Sequence, residues 1–156
     1  MKSTIEILIE IGNSEIINND QKAILSKADE INRQSPNYWN SETLILNDNE
    51  IMSLFKGIVI SEKELSWIGG SVAGGIWIYK EIIRRGLEKD YLIANWALSI
   101  TNNDYLPFGS TNYDAKNIVE YFNRKSEIYY RKEFEKKNKE IRILNEKVLG
   151  LDCKNR

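Results

Sequence analysis

The stretch Asn47–Trp67, NDNEIMSLFKGIVISEKELSW, decides how the rest of the chain is read. Its opening Asn-Asp-Asn-Glu offers a capping side chain and an acidic first turn, where the helix macrodipole favours negative charge. Apolar residues then recur at Ile51, Leu54, Phe55, Ile58, Val59 and Leu65, at offsets close to i, i+3, i+4 and i+7, with Glu62 on the same stripe. The spacing predicts an amphipathic helix from about Asp48 to Trp67, stopped by Gly69-Gly70. Residues Leu54–Ser110 also hold three of the four tryptophans and most of the glycines, between charged, asparagine-rich flanks. One apolar core is therefore expected to form around this helix.

Downstream, Ser71 is expected to cap a helix running to about Arg85 and ending at Gly86, and a third helix is expected from Glu88 to Thr101. Gly74 and Gly75 inside a helix each cost about 1 kcal/mol against alanine, which points to a close approach by another backbone or a ligand, with helix packing preferred. Asn102–Ser110 reads as a structured loop. Asp114 is expected to cap a long final helix with Ala115, Ile118, Val119 and Phe122 on one face.

Upstream, Ile5, Ile7, Ile9 and Ile11 alternate as in a strand, while Ile5, Leu8 and Ile9 fit a helical stripe. A short helix is preferred over Thr4–Ile11, with the strand left open. Gly12-Asn13-Ser14 reads as its stop. A second helix is expected from the Asn18-Asn19-Asp20 cap to Arg33, placing Ala23, Ile24, Lys27, Ala28 and Ile31 at helical spacing. Ser35-Pro36-Asn37 then breaks the pattern, and Tyr38–Leu46 reads as a connection packed on the core. The expected fold is all-α: a single-domain bundle of five or six helices over residues 1–150 with a long C-terminal helix, followed by a polar tail at 151–156.

A chain of 156 residues suits one domain, since domains most often run about 100–150 residues. With 42% apolar and 29% charged residues and a net charge of −1, it has the profile of an ordinary globular protein without the basic excess of a nucleic-acid binder. Lys132, Lys136, Lys137 and Lys139 alternate with Glu133, Glu135 and Glu140, as on a solvated helix face. Nucleic acid is not expected as a partner. The weakly polar run Trp67–Tyr79 is far shorter than the ~20 residues of a membrane-spanning helix, and no membrane association is expected. Glu6 and Glu10 interrupt the apolar N-terminal run, and Cys153 stands alone, so a reducing cytoplasm is the expected location. The chain contains no histidine, which excludes Ser-His-Asp and Cys-His catalysis and histidine-ligated zinc. No metal or cofactor is expected.

Three constellations bear on function. Gly69-Gly70-Ser71-Val72-Ala73-Gly74-Gly75 would present free amides to an anion at a helix start, but it lacks a P-loop's Gly-Lys-Ser/Thr, so tight packing is the preferred reading. Glu62, Glu64 and Asp104 are the carboxylates nearest the tryptophans. A hydrogen-bonded structural role is preferred for Glu62, accepting from a tryptophan N–H or from the helix start at Ser71. Trp67, Trp77, Trp96, Tyr79, Tyr105 and Phe108 could line a ligand cleft or form a protein-binding patch, with core the preferred reading.

The series Leu54-Phe55-Lys56-Gly57-Ile58-Val59-Ile60, Glu62, Trp67, Gly69-Gly70-Ser71-Val72, Asn95-Trp96 and Asn103-Asp104-Tyr105-Leu106-Pro107-Phe108-Gly109-Ser110 resembles small uncharacterised bacterial helical proteins, some of them associated with polymorphic-toxin immunity. The resemblance covers the middle third of the chain and implies no catalytic residues. The functional expectation is a protein-binding module, an immunity-type inhibitor of a cognate toxin, with Glu62, Glu64, Trp67, Ser71, Asp104 and Tyr105 as its contacts. Acidic inhibitors complement the basic clefts of toxin nucleases. The alternative is a carboxylate-based hydrolase or transferase around Glu62, Trp67, Ser71 and Asp104. A homo-oligomer assembled through the C-terminal helix is a third reading.

Overall fold

The computed structural model describes residues 2–109, 135–136 and 138–143, and every regular element among them is helical. By its contacts the chain divides into two compact units, Met1–Asn117 and Ile118–Arg156. In the second unit the described residues are helical. The rest of the expected C-terminal helix, including its Asp114 cap, and the tail at 151–156 lie outside the described residues.

Helix α1, Thr4–Ser14, is capped by Ser3, whose hydroxyl accepts from the Glu6 amide at 3.1 Å, and it buries Ile5, Ile7, Leu8 and Ile11. The helical alternative thus holds over Thr4–Ile11. The helix also runs through the expected stop at Gly12. The reason is its partner α4, Asp48–Glu64. A Cβ on Gly12 would stand 1.7 Å from the Ser53 carbonyl oxygen, and one on Gly57 would stand 1.8 Å from the Leu8 carbonyl oxygen. Glycine at both positions lets the two backbones touch, so Gly12 serves packing here rather than termination.

Helix α2, Asn19–Leu25, begins with a capping box in which the Asn18 and Gln21 side chains accept from each other's backbone N–H. It ends eight residues before the expected Arg33, and Asp29–Arg33 forms a separate 3-10 helix. Both Leu25 and Ile31 are buried, whereas Ile24 is 52% exposed. At about 100° per residue, positions six apart lie on different faces of one α-helix, so a break is needed to bring both side chains inward.

Helix α3, Pro36–Leu44, occupies what the sequence suggested was a connection. Ser35 is its N-cap, accepting from the Tyr38 amide at 3.2 Å, and Pro36 takes the first helical turn, where a missing N–H is harmless. The Ser-Pro pair starts a helix instead of ending one. It seats Trp39, 1% exposed, in the core.

Helix α4 starts as predicted, with Asn47 and Glu50 forming a capping box, and buries Ile51, Leu54, Phe55, Ile58, Val59 and Glu62. A second 3-10 turn, Gly70–Val72, precedes α5, Gly74–Arg84. Ser71 therefore does not cap α5. Ala73 stands at the cap, and the Asn32 side-chain oxygen accepts from the Gly74 amide at 3.2 Å. Added Cβ atoms would meet Trp39 at 2.6 Å from Gly74 and Leu106 at 2.9 Å from Gly75. This agrees with the packing explanation of both glycines.

At the other end of α5, Arg85 donates to the carbonyls of Thr43 at 2.8 Å and Leu46 at 2.9 Å, and pairs with Asp48 and Glu81. It ties the α3–α4 connection to α5. The Arg84 hydrogen bond outweighs the opposing effect of burial and, with help from Arg85, draws the Glu81 carboxyl down to about 2.

Helix α6 is Leu92–Ile100, so the helix expected from Glu88 begins four residues later. Glu88 instead accepts from the Lys89, Ile93 and Ala94 amides at 3.0–3.1 Å and from the Tyr79 hydroxyl at 2.7 Å. Its carboxylate thus meets the amides at the positive end of α6. Burial and this acidic neighbour push the Tyr79 hydroxyl up from its ordinary value. The loop after α6 returns to the core through Leu106, 1% exposed, and Phe108, whose ring meets Tyr79 edge-on at 5.4 Å.

Gly57→Ala tests the α1–α4 contact because two effects oppose each other. Alanine gains about 1 kcal/mol in helix propensity, while a methyl forced against backbone costs more. The expected result is a net loss of about 2 kcal/mol in urea unfolding. Unchanged or increased stability would show that the helices do not touch at Gly57.

Candidate functional site

The C-terminal end of α4, the turn that follows it and the loop after α6 enclose an open cleft of about 440 Å³. Glu62, Trp67, Asp104 and Tyr105 all line it, together with Lys63, Ser66, Gly69 and Asn103. Two of the expected contacts fall elsewhere. Glu64 and Ser71 are exposed but do not line the cleft. Glu64 is two residues from Glu62, about 200° around the helix, and Ser71 is carried away by the 3-10 turn.

Glu62 is 5% exposed, the only buried Asp, Glu, Lys or Arg among the described residues. Its Oε2 accepts from the Asn32 amide at 2.6 Å, and Asn32 itself is fully buried. The structural role expected of Glu62 thus has a donor the sequence did not suggest. Trp67 does not supply it, for its indole Nε1 is buried without an acceptor. Burial raises the Glu62 carboxyl above the ordinary range, and hydrogen bonds from Asn32 and Asn103 offset part of that rise. No cationic side chain contributes.

Local geometry explains why the cleft forms here. Ser66, after the end of α4, is left-handed at φ 52°, and the Trp67 amide donates to the Glu62 carbonyl at 3.0 Å, turning the chain sharply. Arg33 donates to the Ile68 carbonyl at 3.0 Å and holds the turn from one side. Asn103 donates to the Gly70 carbonyl at 3.2 Å and accepts from the Tyr105 amide at 2.9 Å, so it fixes both the turn and the opposing loop. Gly69 lies against the acid–amide pair: a Cβ there would be 2.5 Å from Asn32 Nδ2 and 2.9 Å from Glu62 Oε2.

Gly69, which the sequence offered as an anion cradle or a packing position, packs tightly here. Nothing local in the sequence marks Asn103, within the structured loop, or Asn32, near the end of an expected helix, as site residues. A buried amide facing a buried acid requires knowledge of which two distant segments meet. A second cleft, of about 580 Å³, lies among Ser3–Ile5, Lys27–Ile31, Tyr38 and Glu42. Burial and then Glu42 raise its Tyr38 hydroxyl, but it contains no buried acid or base. No histidine, cysteine, aspartate and glutamate cluster able to hold a metal occurs among the described residues. No described helix is long and apolar enough to cross a membrane.

No protein-family model, curated protein or solved structure matches the chain.

The raised Glu62 carboxyl gives a pH test. Folding favours its neutral form, so this contribution is greatest below the unfolded value of 4.5 and is lost as pH rises through the higher folded value. Glu62→Gln is neutral throughout. The stability of the native protein relative to Glu62→Gln should therefore increase as pH falls from neutrality towards 4.5. Parallel stability profiles in urea titrations would show that the Glu62 carboxyl is not perturbed.

Proposed function

We propose that the chain is a protein-binding module, an immunity-type inhibitor acting in the cytoplasm, which holds its toxin partner at the Glu62–Tyr105 cleft. One observation carries this reading: an acidic cleft opens beside apolar side chains left in water. Ile68 is 78% exposed, Val72 48% and Tyr105 41%. Ile68 and Tyr105 line the cleft, and the Val72 amide donates to the Gly69 carbonyl within the same turn. Apolar and aromatic anchors around desolvated polar groups are the usual anatomy of a binding hot spot. The carboxylates supply the acidic character suited to a basic toxin surface.

The hydrolase or transferase alternative draws support from the raised Glu62 carboxyl and from Asp104 in the same cleft. It loses Ser71 as a participant. An immunity-type inhibitor uses the exposed apolar rim directly, as anchors for a protein surface.

Photo-crosslinking in the source cell tests the proposal, with p-benzoylphenylalanine placed at Tyr105 and, as a control, at Ile45, which is 80% exposed. A single protein should crosslink from position 105 alone. Expressed by itself it should arrest growth, and this chain should relieve the arrest. Ile68→Asp should weaken the complex about tenfold or more. Crosslinking equally from both positions, or a captured protein that is harmless, would overturn the proposal.

A further inference from the structure

The chemistry of the cleft specifies what part of a partner enters it. Its charged lining residues are Glu62, Asp104 and Lys63, two acids against one base. Glu62 is buried, yet the groups that stabilise its charged form are the neutral amides of Asn32 and Asn103. Lys63, on the next residue of α4, is exposed and forms no ion pair with it. An isolated buried carboxylate retains a large unmet attraction for a positive charge, because the surrounding low dielectric strengthens such a contact. Trp67 and Tyr105 in the same lining provide aromatic surface, which also favours cations.

We propose that the cleft receives an arginine or lysine side chain of the partner protein, with Glu62 as its buried counter-charge and Trp67 and Tyr105 beside its stem. This rests on the reading of the cleft as a protein-docking site and adds the identity of the inserted group. Asn32 and Asn103 are positioning residues: Asn32 donates to the carboxylate and accepts from the Gly74 amide at the start of α5, and Asn103 donates to the Gly70 carbonyl in the turn that forms the cleft. The carboxylate is thereby fixed before the cation arrives, which limits the ordering cost of binding. A guanidinium offers a planar donor fork and an aromatic-stacking face, and an ammonium offers a compact point charge.

The test uses the full chain and small probes: the Nα-acetyl methylamides of arginine, lysine and citrulline. Citrulline keeps the shape of arginine without its charge. Titration is followed by the Trp67 indole and Asn103 side-chain resonances in nitrogen–proton correlation spectra at low salt. The arginine or lysine probe should produce a saturable shift with Kd on the order of 1–10 mM, and citrulline should bind about tenfold more weakly. The stronger of the two cations identifies the inserted residue. Glu62→Gln should lose about tenfold in affinity while its thermal unfolding shows that it remains folded. Equal binding of citrulline, unchanged affinity in Glu62→Gln, or no saturable shift at these resonances would overturn the inference. The two proposals fail separately. Cation binding without a crosslinked toxin removes the immunity reading alone, and a crosslinked toxin whose affinity is indifferent to Glu62→Gln removes the counter-charge alone.

Discussion

Backbone contact between α1 and α4 is the constraint on which the remaining packing depends. Each helix contributes one glycine, Gly12 or Gly57, opposite a carbonyl of the other, at distances that no side chain could occupy. Such an approach brings the flanking Ile5, Leu8, Ile11, Leu54 and Ile58 into one buried layer. Burying each large aliphatic side chain contributes about 1.5–3 kcal/mol, so the closeness of the helices multiplies through their neighbours. It also fixes α4 as the axis of the first unit. Its apolar stripe holds α1, α5 and α6, and its last turn carries Glu62.

A second constraint is polar. Asn32 links the Glu62 carboxylate to the Gly74 amide, joining residues 30 and 42 positions away in the chain. The 3-10 segment, the end of α4 and the start of α5 thus share one buried amide. Removing one member would leave the others desolvated without a partner, which costs more than a typical hydrogen bond contributes. The arrangement explains why α5 does without a side-chain cap of its own and why Gly69 cannot carry a side chain. Structure and cleft are therefore built from the same atoms, and the cleft is held at the junction of three elements.

The sequence carried the axis of the fold well. Helix α4 was legible because its Asn-Asp-Asn-Glu start and its stripe from Ile51 to Val59 are both local signals. Helix α3 was not, because Ser35-Pro36 has the same composition whether it breaks a helix or begins one; only the burial of Trp39 and Thr43 decides. The division of residues 18–33 was hidden for a related reason: the spacing of Ala23, Ile24, Lys27, Ala28 and Ile31 suited a helix, but of these only Ile31 is buried, together with Leu25, which is not on that stripe. At the site, Glu62 stood out as an acid on an apolar stripe, Trp67 as the aromatic at the end of that helix, and Asp104 and Tyr105 as members of the Asn102–Ser110 loop. Ser71 and Glu64 were chosen by nearness in sequence, which helix rotation and the Gly70 turn do not respect. Asn32 could be found only in three dimensions, since its meaning comes from Glu62 and Gly74.

The choice of residue at position 62 bears on the two roles of the cleft. Accepting the hydrogen bond from Asn32 requires only an oxygen, and a glutamine carries one without a charge to desolvate. A carboxylate at that place raises the cost of the folded state at neutral pH, as the direction of its titration indicates. What it adds is negative charge at the base of a cleft whose rim is apolar, and that charge gains most when a cation enters and water leaves. The structural requirement accounts for the hydrogen bonds, while the charge has a use only in the proposed docking of a cation. This asymmetry is the physical argument behind the proposal that the cleft binds a partner as well as packing the turn.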